Sequence, residues 1–113
     1  MKDLLQSPVC ARKLRSLADP DRLRIIQCLR HGPRNVGEMA DILKIPAVNL
    51  SHHLRVLRNA EVVIDEKDGR FVVYRLNPDV YRPAESDEAA DHLELGCCRL
   101  DIPKDKKLVA ESP

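Results

Sequence analysis

The chain has no tryptophan, one phenylalanine (Phe71) and two tyrosines (Tyr74 and Tyr81) in 113 residues. A core with so few rings must be built from Leu, Ile, Val and Ala, which suits helices. Long apolar runs are also missing. Nothing approaches the ~18–20 residues of a membrane span, so no membrane association is expected. Met1-Lys2-Asp3 includes an acid and leads into no apolar stretch, so no secretory signal is expected. The four cysteines then point to a reducing cytoplasm, where thiols ligate, sense or fill space. There is no Gly-rich phosphate loop, nucleophile elbow or His-Glu-x-x-His, and the chain is too short for a large catalytic fold, so no enzyme is expected.

Charge divides what is present. Residues 1–83 hold 15 Lys and Arg against 10 Asp and Glu, a net of +5. Residues 84–113 hold 4 against 8, a net of −4. This reads either as ordinary surface scatter or as a polyanion-binding body, 1–83, followed by an acidic tail, 84–113, with a different task.

Local patterns divide the body further. An apolar set of Leu4, Leu5, Val9, Leu14 and Leu17 among basic residues predicts a first helix within residues 4–18, regular from Pro8. Asp19-Pro20 predicts an N-cap followed by Pro at the first helical position, and a second helix runs to Arg30 before His31-Gly32-Pro33 ends it. Val36–Leu43 and Ala47–Asn59 are two amphipathic helices joined by the tight turn Lys44-Ile45-Pro46, which reads as helix-turn-helix. The period then shortens to that of strands. Residues 61–66 and 71–76 flank Lys67-Asp68-Gly69-Arg70, a hairpin turn with Asp-Gly at its centre. The fold class is therefore mainly α with a β-hairpin wing, a winged helix-turn-helix. Beyond it, Ser86 is expected to cap a short helix from Asp87 to Leu95, ended by Gly96, and residues 103–113 are expected to fray.

Three ordered motifs carry a resemblance. They are Ser16-Leu17-Ala18-Asp19-Pro20-Asp21-Arg22-Leu23-Arg24-Ile25, then Leu50-Ser51-His52-His53-Leu54-Arg55-Val56-Leu57, then the Asp68-Gly69 wing closing on Tyr74-Arg75-Leu76. Over about residues 12–78 the chain resembles the ArsR/SmtB family of bacterial winged-helix repressors. The resemblance implies a homodimer on palindromic double-stranded operator DNA, released by a metal or metalloid ion or by a thiol oxidant. Helical geometry alone turns Leu50, Leu54 and Leu57 to the core, leaving Ala47, Val48, Asn49, Ser51, His52 and Arg55 outward. These residue types can read base edges in a major groove. Lys44, Arg58, Lys67 and Arg70 are phosphate candidates, Arg58 being equally readable as a solvated face residue. His53, beside the core stripe, reads as a packed, hydrogen-bonded histidine. Where the family often starts this helix with Ser-Gln, this chain has Pro46-Ala47, so no operator sequence carries over.

The cysteines divide by context. Cys28 replaces an aliphatic residue in Ile25-Ile26-Gln27-Cys28-Leu29 and reads as a small buried hydrophobe. Cys97-Cys98 has no evident packing role. On a regular strand its side chains would diverge, but Gly96 allows a turned backbone that brings both sulfurs to one ion. Cys10 is the third ligand expected, from the same chain or, as the resemblance implies, the opposite one. Three sulfurs suit As(III) or Sb(III). Zn(II), Cd(II) or Pb(II) would draw on His92 or Asp91 as well. A disulfide switch between Cys10 and one of the pair is the alternative within this fold. A thiol-rich metal-binding or interaction protein without operator affinity is the alternative from another class.

Overall fold

The computed structural model describes residues 7–103. Helix α1 (Pro8–Ser16) starts where the Ser7 hydroxyl accepts the Cys10 N–H at 3.4 Å and Pro8 takes the first helical position. It turns Cys10, Lys13 and Ser16 inward and leaves Val9 and Leu14 exposed. Leu4 and Leu5 lie outside the described residues. Helix α2 (Pro20–Leu29) is capped by Asp19, whose carboxylate accepts the N–H groups of Asp21 (2.8 Å) and Arg22 (3.2 Å). Burial pushes the Asp19 carboxyl upward. The two backbone donors, with His53 and Arg22 nearby, outweigh it and hold the group below its ordinary 3.8.

Helix α3 (Val36–Leu43) opens with a capping box that the linear reading missed: Asn35 accepts from Glu38 N–H and Glu38 accepts from Asn35 N–H. Lys44 ends the helix in the left-handed region at φ 57°, and α4 (Ala47–Asn59) follows. Strands β1 (Arg34–Asn35), β2 (Val63–Asp68) and β3 (Phe71–Leu76) make an antiparallel sheet in the order β1-β3-β2. The wing is longer than expected. Pairing continues to Asp68 opposite Phe71, so the turn is Gly69-Arg70 and not one centred on Asp-Gly. Gly69 takes φ +64°, which a tight two-residue hairpin needs and glycine supplies without a steric penalty.

The helix expected from Asp87 to Leu95 does not form. Residues 91–94 are a strand, the centre of a second antiparallel sheet made of β4 (Tyr81–Arg82), β5 (Asp91–Glu94) and β6 (Arg99–Ile102). The reason is a period of two over a short stretch: Leu93 and Leu95 turn inward between the more exposed His92, Glu94 and Gly96. Together with Ile102 they join the same buried cluster as Ile25, Ile26 and Leu29 of α2 and Leu50, Leu54 and Leu57 of α4. Much of the segment read as an acidic tail thus packs on the helical body.

A half-buried ionic network fixes that packing. Asp91 Oδ2 lies 3.1 Å from Arg30 Nε and accepts the Tyr81 hydroxyl at 2.9 Å, while its Oδ1 accepts the Ala84 N–H at 2.7 Å. Burial raises the Tyr81 hydroxyl, helped by its bond to Asp91 and by that carboxylate's charge and opposed by Arg30, to about 12 from 10.0. The folded state thus keeps the neutral phenol. The resulting stabilisation is complete below pH 10 and is lost as pH rises through about 12. Tyr81→Phe is expected to cost about 1 kcal/mol at neutral pH and to flatten the alkaline loss of stability over this window. Urea midpoints at pH 7 and pH 11 measure both effects, and parallel losses in the two proteins would contradict the assignment.

Candidate DNA interface and cysteine cluster

Helix α4 is built on a one-sided apolar stripe. Leu50, Leu54 and Leu57 are fully buried, so the opposite face of α4 must point to solvent. Ala47, Val48, Asn49, Ser51, His52 and Arg55 are all exposed, Val48 by 76%. Lys44 is exposed at the turn, and Lys67 and Arg70 are exposed at the wing tip. Arg58 is exposed but ion-paired with Asp65 of β2 at 3.2 Å, a contact that braces the wing against α4. Pro46 occupies the N-cap of α4 and offers no side-chain hydrogen bond, so the first amides of the helix lack a protein cap.

His53 behaves as a packing residue. Arg22 has only donors, so its Nη1 must donate to His53 Nδ1 across 3.2 Å. That leaves the ring proton on Nε2, which faces Asp21 Oδ2 at 3.8 Å. The imidazole therefore joins α4 to the N-terminal turn of α2, and its neighbour His52 projects into solvent.

The second centre lies where the β5–β6 hairpin meets α1. Gly96 at φ +95° turns the chain, and Leu95 N–H closes the turn on Cys98 C=O at 2.9 Å. This curl places the Cys97 and Cys98 sulfurs 3.8 Å apart. Cys10 and Cys97, 87 residues apart in sequence and 6.0 Å apart between Cα atoms, are joined by a disulfide. The three sulfurs of Cys10, Cys97 and Cys98 lie within 4.8 Å of one another, all in one chain. They grade outward, from buried Cys10 through half-buried Cys97 to exposed Cys98. Sulfurs at a tetrahedral angle around an ion bonded at about 2.3 Å are about 3.8 Å apart, which is the Cys97–Cys98 separation; Cys10, bonded to Cys97, would have to part from it on reduction to join them.

Asp91 and His92 are not brought to these sulfurs. Asp91 faces the body, where Arg30, Tyr81 and Ala84 engage it. His92, the next residue on the strand, lies with Arg82 and Arg99 around a cleft of about 710 Å³ lined by the second sheet. Sequence reasoning assigned Asp91 by its residue type. The alternation of Leu93 and Leu95 was the signal that the segment is a strand and that Asp91 shares its inward face. Cys28 is fully buried, as expected. Burial raises its thiol above the ordinary 9.0, with Arg34 partly opposing.

Residues 19–65 match the family described as bacterial regulatory protein, arsR family. The chain is 40% identical over 89 residues to the HTH-type transcriptional regulator NmtR of Mycobacterium tuberculosis, spanning 76% of this chain and 73% of that protein. Among solved structures, a possible transcriptional regulator for arsenical resistance is 40% identical with a TM-score of 0.56, over 59% of this chain and 70% of that one. The homodimeric winged helix-turn-helix DNA-binding domain of a possible ArsR-family regulator from Mycobacterium bovis has a TM-score of 0.60 at 27% identity, over 63% of this chain and 66% of that one. The regulators matched are transcriptional proteins, not enzymes.

Cys28→Ser places a more polar group in the core without touching the other cysteines. It is expected to lower stability by ~1–3 kcal/mol and to leave the Cys10–Cys97 linkage intact. Urea unfolding and non-reducing peptide mapping read the two effects.

Proposed function

Because the chain belongs to the ArsR family of bacterial winged helix-turn-helix regulators, we propose that it is a homodimeric repressor whose Cys10, Cys97 and Cys98 take up a thiophilic ion and release operator DNA. The observation that carries the sensor half is the convergence of three sulfurs from the two ends of the described chain. Three thiolates complete the shell of As(III) or Sb(III), which makes these the favoured inducers. Zn(II) and Cd(II) prefer a fourth ligand, and neither Asp91 nor His92 stands among the three sulfurs. The solved relative concerned with arsenical resistance supports the same choice. Arsenite binds as As(OH)3, its three hydroxides leaving as water with the three thiol protons, whereas a divalent cation would displace those protons to solvent.

The DNA half rests on exposure. Asn49, Ser51 and His52 face the bases with Ala47, Val48 and Arg55 beside them, and Lys44, Arg58, Lys67 and Arg70 meet phosphate. One helix reads too few base pairs for useful specificity, and a two-fold pair doubles the site. Val9 and Leu14, exposed on α1, supply apolar surface for that pairing, and the homodimeric relative supports it. A regulator of this kind works in the cytoplasm, beside its DNA. Residues 1–83 carry DNA binding and dimerisation, and residues 84–113 carry the paired cysteines.

The Cys10–Cys97 disulfide favours a second reading, release by oxidation. Two thiols would lose two protons and two electrons to a peroxide or disulfide oxidant, with Cys98 left as the free thiol. Cys98→Ser separates the two readings. It removes a ligand from the ion and spares both sulfurs of the disulfide.

Operator binding by reduced protein, titrated with arsenite, is expected to fail to respond in Cys98→Ser and to respond in the wild type. Alkylation should then find all three cysteines blocked in the wild type. Release of the reduced Cys98→Ser protein by mild oxidant alone, with the wild type indifferent to all five ions, would replace the ion with the oxidant. Ion binding without any shift of DNA from the gene's own upstream region would instead leave a thiol-rich metal-binding protein. On the DNA side, Asn49→Ala is expected to cost ~1–3 kcal/mol at one base position and relax choice there. Lys67→Ala or Arg70→Ala should weaken all sequences alike and lower the salt slope by ~1 each.

A further inference from the structure

Most arginines of the described chain have a partner. Arg24 pairs with Asp21, Arg30 with Asp91, Arg58 with Asp65, Arg75 with Glu66 and Arg99 with Asp101, and Arg82 donates to Pro78 C=O. Two that have none among the described residues, Arg55 and Arg70, already lie on the proposed DNA face. Two others are Arg12 and Arg15, one helical turn apart on α1. They line a cleft of about 380 Å³ with Arg22, Ser16, Val56 and Asn59, and no acidic residue borders it.

We infer that this cleft is a phosphate clamp for the DNA backbone, at the far end of the recognition helix from its base-reading residues. Three observations converge on it. Arg12 and Arg15 are like charges one turn apart, unfavourable unless an anion sits with them, whereas Arg22 already has the Asp19 carboxylate nearby; guanidinium groups grip phosphate in bidentate fashion. Arg22 is already oriented, because its Nε donates to Ser16 C=O at 2.6 Å and its Nη1 to His53. The cleft also continues the outward stripe of α4. Val48, His52, Arg55 and Asn59 follow one another at helical spacing opposite buried Leu50 and Leu57, and Asn59 is a wall of the cleft, with Val56 and Ala60 beside it.

Length decides what the clamp meets. Ten residues of helix separate Asn49 from Asn59, about 15 Å, against a major groove about 12 Å wide. An α4 that crosses the groove with Asn49 at a base edge would bring its far end to the phosphate rim. That end carries the negative pole of the helix, which repels a phosphate unless cations from elsewhere offset it. Arg12 and Arg15 from α1, with Arg22 from α2, are those cations.

This inference rests on the DNA-binding reading above, and the test keeps the two apart. Operator affinity is measured from 50 to 200 mM salt for the wild type, Arg12→Ala/Arg15→Ala, Arg12→Lys/Arg15→Lys and Lys67→Ala, with circular dichroism and urea midpoints confirming that each is folded. The alanine pair is expected to lower the salt slope by about 2 and to weaken binding at least tenfold at 150 mM salt. The lysine pair should keep most of the slope. An alanine pair with the wild-type slope, while Lys67→Ala loses about 1, overturns the clamp and leaves the functional reading standing. A wild type that binds no DNA overturns both. Inorganic phosphate titrated at constant ionic strength is the remaining arm. Saturable binding that the alanine pair loses, with its DNA slope unchanged, would make the cleft a free-anion site and overturn the DNA assignment.

Discussion

Asp91 ties the second sheet to the helical body, and Cys97 and Cys98 of the cysteine cluster lie on the hairpin that this sheet carries. Its two oxygens take Arg30, Tyr81 and Ala84, and Arg30 also donates to Pro103 C=O at 3.1 Å. Residues at the start, middle and end of residues 81–103 are thereby tied to the C-terminal end of α2. A carboxylate at this depth would be costly alone, but here the opposite charge and three donors compensate it. With the strands pinned, Leu93, Leu95 and Ile102 complete the core, and the β5–β6 turn has one place to go, against α1.

That placement makes the cluster a long-range fastener. Joining Cys10 to Cys97 closes a loop across 87 residues of sequence, a constraint of about 4–5 kcal/mol on the unfolded chain in the loop-entropy account. An ion shared by the same sulfurs closes the same loop. The graded burial also gives the site a direction: a ligand arriving from solvent meets Cys98 first and Cys10 last.

The parts of this arrangement differ in how far a linear reading reaches them. Helices α2, α3 and α4 were legible because each carries an apolar stripe with a clear boundary: the Asp19-Pro20 cap before α2, the Lys44-Ile45-Pro46 turn between α3 and α4, and Leu50, Leu54 and Leu57 along α4. The three sulfurs were legible because adjacent cysteines after a glycine fit no apolar pattern, although Cys97 packs half-buried against the core, and Gly96 announces the turn. Strand β1 was not, since two residues show no period and Arg34 and Asn35 are strand only by pairing with Tyr74 and Val73. The second sheet was misread because Ser86 and the acids after it imitate a helix start, while the competing alternation occupies only Leu93 and Leu95. Asp91 looked like a ligand because its partner Arg30 is 61 residues away. The arginine cleft was hidden for the same reason: Arg12, Arg22 and Asn59 meet only in three dimensions.

Helix α1 joins the two proposed activities. Its nine residues carry Cys10 on the inward face and, two and five positions later, Arg12 and Arg15 on the cleft. A helix this short moves as one body, so a pull on the Cys10 sulfur is delivered to both guanidinium groups. The energy available is ample. Reversing a 99:1 preference between two arrangements takes about 5.5 kcal/mol of differential affinity, against about 10–16 kcal/mol for structural Zn(II) in zinc-finger peptides. For an ion bound that tightly, about a third to a half of its binding energy would need to favour one position of α1 over the other. Asp91 ties the hairpin to the end of α2, and Val9 and Leu14 place α1 at the surface where a second copy would feel a change in it.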